Sequence, residues 1–143
     1  MGDIIEMDFT PLIGEIYVMT FTGIGSEQTG LRPGLVFQNN VGNKYSPNII
    51  AIPLTSSQKK TNQPTHVPIS AEDSGLHVDS VALCENPQIM SKERIGRYIT
   101  TLSDDYMKQI AEAYLIATAV ISYLDVDALL KVWRAAKSLN KVS

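Results

Sequence analysis

The stretch "GSEQTGLRPGLVFQNN", residues 25–40, decides how the chain is read. Two glycines bound a polar loop, Arg32 stands directly before Pro33-Gly34, and an apolar run follows at 34–39. A glycine-rich loop that cradles phosphate needs a helix N-terminus behind it, with a lysine in the nucleotide-triphosphate version. Here a turn and a strand follow instead, which argues against nucleotide binding. Pro33 fixes its own φ and restricts Arg32 to extended backbone. The stretch therefore holds one arginine, with little freedom left, at the mouth of a strand.

Working outward, short strands fill the first hundred residues. "EIYVMTF" (15–21), "GLVFQN" (34–39), "NIIAIPLT" (48–55), "HVPIS" (66–70), "DSVALCE" (79–85) and "RYITTL" (97–102) are rich in Ile, Val, Leu and Tyr. Gly, Pro, Asn and Ser punctuate the gaps. In "HVPIS", Val67 and Ile69 share one face, while His66 and Pro68 point the other way. "SAEDSG" (70–75) reads as a helical turn capped by Ser70 and ended by Gly75, and "SKERI" (91–95) as another short helix. From Ser103 the period changes. Met107, Ile110, Tyr114, Ala117, Ile121 and Leu124 recur at steps of three and four, one face of a long helix. Ser103 caps it, and Asp104 and Asp105 suit the positive end of its dipole. A second amphipathic helix restarts near Asp125 or Asp127. Its Leu129, Val132 and Trp133 are expected in the core, and its Lys131, Arg134 and Lys137 on a solvated face. The pattern predicts an α+β fold: a small bent β-barrel of about six short strands, with short helices, a long C-terminal helix and an added terminal amphipathic helix. Closing the sheet hides its edges. One domain is expected over 1–143, its barrel at about 14–102 and its helical part at about 103–140.

Composition narrows the function. Of the 143 residues, 44% are apolar and 19% charged, which is ordinary for a globular chain and wrong for a disordered one. No apolar run is long enough to span a bilayer. The acidic start "MGDIIEMDF" lacks the basic opening of a signal peptide, so the cytoplasm is the expected compartment. A net charge of −3 argues against broad, sequence-independent nucleic-acid binding, so any such function must use a local positive site. The single cysteine, Cys84, has no internal disulfide partner and reads as a buried hydrophobe. No metal-ligand spacing is present, and no cofactor is expected. His66 and His77 read as structural, although two histidines can also serve as acid and base on a phosphodiester.

With the strands placed, the polar stretches acquire an order. "GEIYVMTF", "GSEQTGLRPGLVFQNN", "VGNKYSPNIIAIPLTSSQKKTNQPTHV" and "DSVALCE" follow one another with the spacing of a known family. The chain resembles the MazF/PemK toxin endoribonucleases over roughly residues 14–122. The resemblance implies an SH3-like barrel with a C-terminal helix, working as a homodimer. It implies metal-independent cleavage of single-stranded RNA at a short sequence, leaving 2′,3′-cyclic phosphate and 5′-hydroxyl ends. A cognate MazE-like antitoxin is implied as partner. The family's arginine of the RP motif is here Arg32, and its threonine ending the third strand is Thr55. Glu27 and Gln28 match residues flanking the substrate path. Asn39 and Glu85 match RNA-contacting positions. Ser56, Gln58, Lys59, Lys60 and Asn86 complete the expected RNA surface.

Chemistry supports those residue types. In such cleavage the RNA 2′-hydroxyl attacks the adjacent phosphorus, so the protein must align the reactants and stabilise growing negative charge. Arg32 stays charged and grips two oxygens through its planar fork. Thr55 offers a hydroxyl on a rotamer-limited side chain. Two departures stand out. After the D-S-V strand the chain reads "ENPQIM", where many relatives carry a Gln-Ile-Arg-Thr-like run; the arginine is missing and Pro87 must reshape the backbone. Beyond about residue 124 the chain adds a helix that many relatives lack. Three rivals stand beside the nuclease reading: a non-catalytic toxin of the same fold that binds a protein such as gyrase, a histidine-dependent ribonuclease, and an inactive relative that only binds a partner.

Overall fold

The computed structural model describes residues 9–23, 30–56 and 62–139. Among the described residues the strands are β1 (Glu15–Phe21), β2 (Gly30–Val36), β3 (Asn48–Thr55), β4 (His66–Ile69), β5 (Ser80–Leu83), β6 (Gln88–Ser91) and β7 (Ile95–Thr101). The α-helices are α1 (Asn40–Tyr45), α2 (Ala71–Ser74), α3 (Asp104–Ala117) and α4 (Val126–Leu139). The strands form one antiparallel sheet in the order β4-β5-β3-β2-β1-β7, with β6 alongside β3.

Strand alternation gives the sheet two apolar faces. One carries Ile16, Leu35, Ile52, Leu54, Val67 and Ile69 and receives Ile110 and Ala113 of α3. The other carries Tyr17, Met19, Phe21, Val36, Ala51 and Met90, with Ile95 packed against them. As the alternation of "HVPIS" predicts, Val67 and Ile69 lie in the helix-side core while Pro68 is exposed. Ser103 caps α3 by accepting from the Tyr106 N–H. The Tyr106 hydroxyl in turn accepts the Ser70 N–H at 3.1 Å, tying α3 to the end of β4. Ser70 caps α2, and Gly75 closes it at φ 86, a left-handed conformation that glycine adopts without strain.

Several elements differ from the expectation. The strand expected at 34–39 runs from 30 to 36 and so takes in Arg32. Residues 40–45 form α1, because the Asn39 side chain accepts the Gly42 N–H at 2.8 Å and Pro47 follows the last turn. β6 is an additional strand cut from "ENPQIM". The helix from Ser103 ends at Ala117 rather than continuing to Leu124. Thr118 is extended there, and the β-branched Thr118, Val120 and Ile121 favour helix weakly. Asp125 starts the last helix by accepting the Ala128 N–H. The expectation of a core role for Leu129, Val132 and Trp133 is overturned. No residue of α4 is buried, and Trp133 is 56% exposed. Sequence periodicity identifies an apolar stripe but not whether the same chain covers it.

Gly34 has a steric reason. A Cβ there would stand 2.6 Å from the Met19 sulfur and 2.8 Å from the Phe21 ring, both inside the core. Gly34→Ala is expected to lower stability by about 1–3 kcal/mol through overpacking. Urea unfolding followed by circular dichroism measures this; an unchanged midpoint would show that Met19 and Phe21 give way freely.

Candidate active site

The β2–β3 ladder pairs Val36 with Ala51, Leu35 with Ile52 and Gly34 with Pro53, and stops there. The Phe37 N–H bonds the Ile50 carbonyl, so by antiparallel alternation the next bond past Leu35–Ile52 belongs to Pro33 and Leu54, and Pro33 has no N–H to make it. Beyond that point β2 keeps its pairing with β1, Arg32 opposite Met19. β3 meanwhile turns its pairing to β5, Thr55 opposite Val81. Continuing the β2–β3 register two residues past Gly34 and Pro53 sets Arg32 opposite Thr55. Directly opposed residues of antiparallel strands direct their side chains to one face. That face is the one remote from α3, since Leu54, between Pro53 and Thr55, packs in the helix-side core. Arg32 and Thr55 are both half-buried, and Ser56 next to Thr55 is exposed.

The same face continues across β5 onto β4. Val81 pairs with Pro68 and Leu83 with His66. His66 is buried, and its Nε2 lies 2.6 Å from Oε2 of Glu85, whose side chain is about a third exposed (33%). Glu85 and Asn86 occupy the break between β5 and β6, where β3 passes from one partner strand to the other. Pro87 sits in that break, outside any ladder, so it reshapes the chain at no cost in sheet hydrogen bonds. Cys84, on the opposite face, is fully buried. Burial, reinforced by the Glu85 charge, pushes its thiol up to about 12, which makes it an inert packing group.

The arrangement of a strand-mouth arginine, a strand-end threonine and a broken edge carrying an acid and an amide can be compared with known proteins. Residues 12–117 match the family model for the PemK-like, MazF-like toxin of type II toxin–antitoxin systems. The chain belongs to that family. It is 38% identical over 122 residues to endoribonuclease EndoA of Bacillus subtilis, a match covering 85% of this chain and 96% of EndoA. A mycobacterial endoribonuclease solved in complex with its cognate antitoxin superposes with a TM-score of 0.62 at 25% identity, over 75% of this chain and 93% of that one. MazF from Deinococcus radiodurans superposes with a TM-score of 0.66 at 24% identity, over 76% and 96%, and shows the shared fold.

For this MazF/PemK-family chain the sequence-predicted site residues fall into three groups. Arg32, Thr55 and Ser56 come to the open end of the β2–β3 seam. Glu85 and Asn86 lie in the β5–β6 break. Asn39 is exposed, but its Oδ1 caps α1. Around it the polar run is structural: Asn43 donates to the Gln38 carbonyl at 2.8 Å, and Asn40 accepts the Ile13 N–H at 2.8 Å. Glu27, Gln28, Gln58, Lys59 and Lys60 lie outside the described residues. The two histidines do not meet. His66 begins β4 and exposed His77 lies beyond the far end of the β4–β5 hairpin, a strand length of about 10 Å away. The contact that sequence reasoning missed is His66 with Glu85. Its signal was the register of two neighbouring strands, which the separate segments "THV" and "LCE" do not reveal.

His66→Gln and Glu85→Ala are expected to be non-additive, with a coupling of about 1 kcal/mol or more, because each removal strands the other partner. A double-mutant cycle in urea tests this; additive losses would mean that the 2.6 Å contact carries no stability.

Proposed function

We propose that the chain is a sequence-specific endoribonuclease toxin that cleaves single-stranded RNA in the cytoplasm, acts as a homodimer and is neutralised by a cognate MazE-like antitoxin. The observation that supports the proposal is the β2–β3 ladder, which ends at Gly34 and Pro53 with Arg32 and Thr55 just beyond it, in a chain of the MazF/PemK family. EndoA's name as an endoribonuclease and the mycobacterial complex with its antitoxin support it. No helix among the described residues is long and apolar enough to cross a membrane.

The chemistry follows from the residue types. The RNA supplies its own nucleophile. Its 2′-hydroxyl attacks the adjacent phosphorus, the bond to the 5′-oxygen breaks, and a 2′,3′-cyclic phosphate and a 5′-hydroxyl result. Negative charge grows on the non-bridging oxygens. Arg32 meets it with a permanently charged fork that Pro33 holds extended, so little reorganisation is needed at the moment of reaction. Thr55 holds a second phosphate oxygen from a stiff β-branched side chain. Ser56 follows Thr55 at the strand end, Glu85 and Asn86 lie in the β5–β6 break, and Asn39 lies beyond the end of β2 opposite to Arg32. There they serve as donors and acceptors to splayed bases, the usual mode of single-strand reading. The loop residues Glu27, Gln28, Gln58, Lys59 and Lys60 complete that surface in the proposal. Among the described residues no three His, Cys, Asp or Glu side chains come together to hold a metal ion, and the proposed step uses none.

Arg32→Ala and Thr55→Ala are each expected to slow cleavage by about a hundredfold or more, the scale of losing one oxyanion-type donor. Gel assays on folded variants measure it; near-normal cleavage by Arg32→Ala would sink the mechanism. Cleavage is also expected to persist in EDTA, and to stop when the nucleotide 5′ to the scissile bond carries a 2′-deoxyribose. Direct 5′-labelling of products by polynucleotide kinase, without phosphatase treatment, reads the ends. Resistance to that labelling would point to hydrolysis by water instead.

A further inference from the structure

The family match ends at residue 117, and α4 lies beyond it. This added helix is amphipathic yet packs loosely on its own chain, with no residue buried. Its apolar stripe, with Leu115 and Val120 opposite, lines a groove of about 560 Å³ that includes Leu129, Leu130, Val132 and Trp133. Trp133, Val132 and Val126 are each more than half exposed. Ile116, Ile121 and Tyr123, nearby in sequence, are exposed as well.

We propose that this groove takes an acidic amphipathic helix from a protein partner. Charge selects the occupant. α4 carries Lys131, Arg134 and Lys137 against Asp127 alone, in a chain whose net charge is −3. The three cations recur every third residue, one rim along the apolar stripe, and the Lys137 ammonium sits 4.3 Å over the Trp133 ring. A second copy would bring the same basic rim against itself, and like charges across an interface are costly. A helix with apolar anchors at i, i+3, i+4 and i+7, flanked by Glu or Asp, fills the groove and neutralises the rim. A basic amphipathic helix can also lie on an anionic bilayer, but here apolar side chains of α4 and of Leu115, Val120 and Leu124 line the two sides of an open groove, which suits a cylinder rather than a plane.

Trp133 is the chain's single tryptophan, so its emission reports the groove directly. The probes are a synthetic helix with leucines on one face flanked by glutamates, the same peptide with lysines for the glutamates, and a scrambled acidic peptide. The acidic helix is expected to give a saturable blue shift. The basic and scrambled peptides are expected to bind at least about tenfold more weakly, as is the acidic helix to a Lys131→Glu, Arg134→Glu variant. Lys137 is kept because it touches the reporter ring. Val132→Asp, confirmed folded by circular dichroism, is expected to lose the shift. Equal response to acidic and basic helices, or none to either, would overturn the proposal. So would a blue shift that grows with protein concentration alone, which would name a second copy, or one produced only by anionic phosphatidylglycerol vesicles. None of these readouts depends on RNA cleavage, so the groove and the nuclease can fail separately.

Discussion

The structure turns on a ladder that stops early. β2 and β3 pair only as far as Gly34 and Pro53. Pro33 withholds a hydrogen-bond donor at that seam, and the two strands then take different neighbours. An uninterrupted sheet would have spent the ends of both strands on backbone pairing. Here the end of one strand presents a guanidinium and the end of the other a hydroxyl, both held by regular β structure on their outer flanks. Regular pairing on either flank supplies the rigidity that the proposed phosphate-gripping site needs. Gly34 lies on the same face as Arg32, where the space over it belongs to Met19 and Phe21.

Much of this was legible in the residues. Alternation located β1, β3, β4, β5 and β7 to within a few positions, and Ser70 and Ser103 marked their helices because capping is local chemistry. Arg32 stood out locally as a proline-restricted arginine, whereas Thr55 was singled out by the resemblance to the family, since a threonine at a strand tip is not distinctive by itself. What escaped depends on neighbours distant in sequence. β6 is four residues long and polar at its start, and is defined by pairing with Asn48–Ala51. α1 hides in an asparagine-rich run whose side chains cap and brace it. The His66–Glu85 contact spans nineteen positions. Trp133 carried the period of a core residue but faces outward, because a hydrophobic stripe records that something covers it and not what.

The added C-terminal segment and the family domain are joined with little mutual burial. α3 is anchored through Ile110, Ala113 and the Tyr106–Ser70 hydrogen bond, while past Thr118 none of the described residues buries an apolar side chain. The Thr118 hydroxyl, buried without a hydrogen-bond partner, sits at the junction. A polar group stranded there costs stability, which sets the end of α3 as the place where the family domain stops investing in its own core.

The division of the sheet into two faces has an evolutionary consequence. On β3, alternate residues serve different masters: Ile52 and Leu54 hold α3, while Thr55 belongs to the face that would meet RNA. Point substitutions can therefore drift on one side with the other untouched. A one-residue insertion or deletion within β3 cannot, because it exchanges the two sets at a stroke. Length changes in descendants of this gene should accordingly collect between strands and be purged from within them.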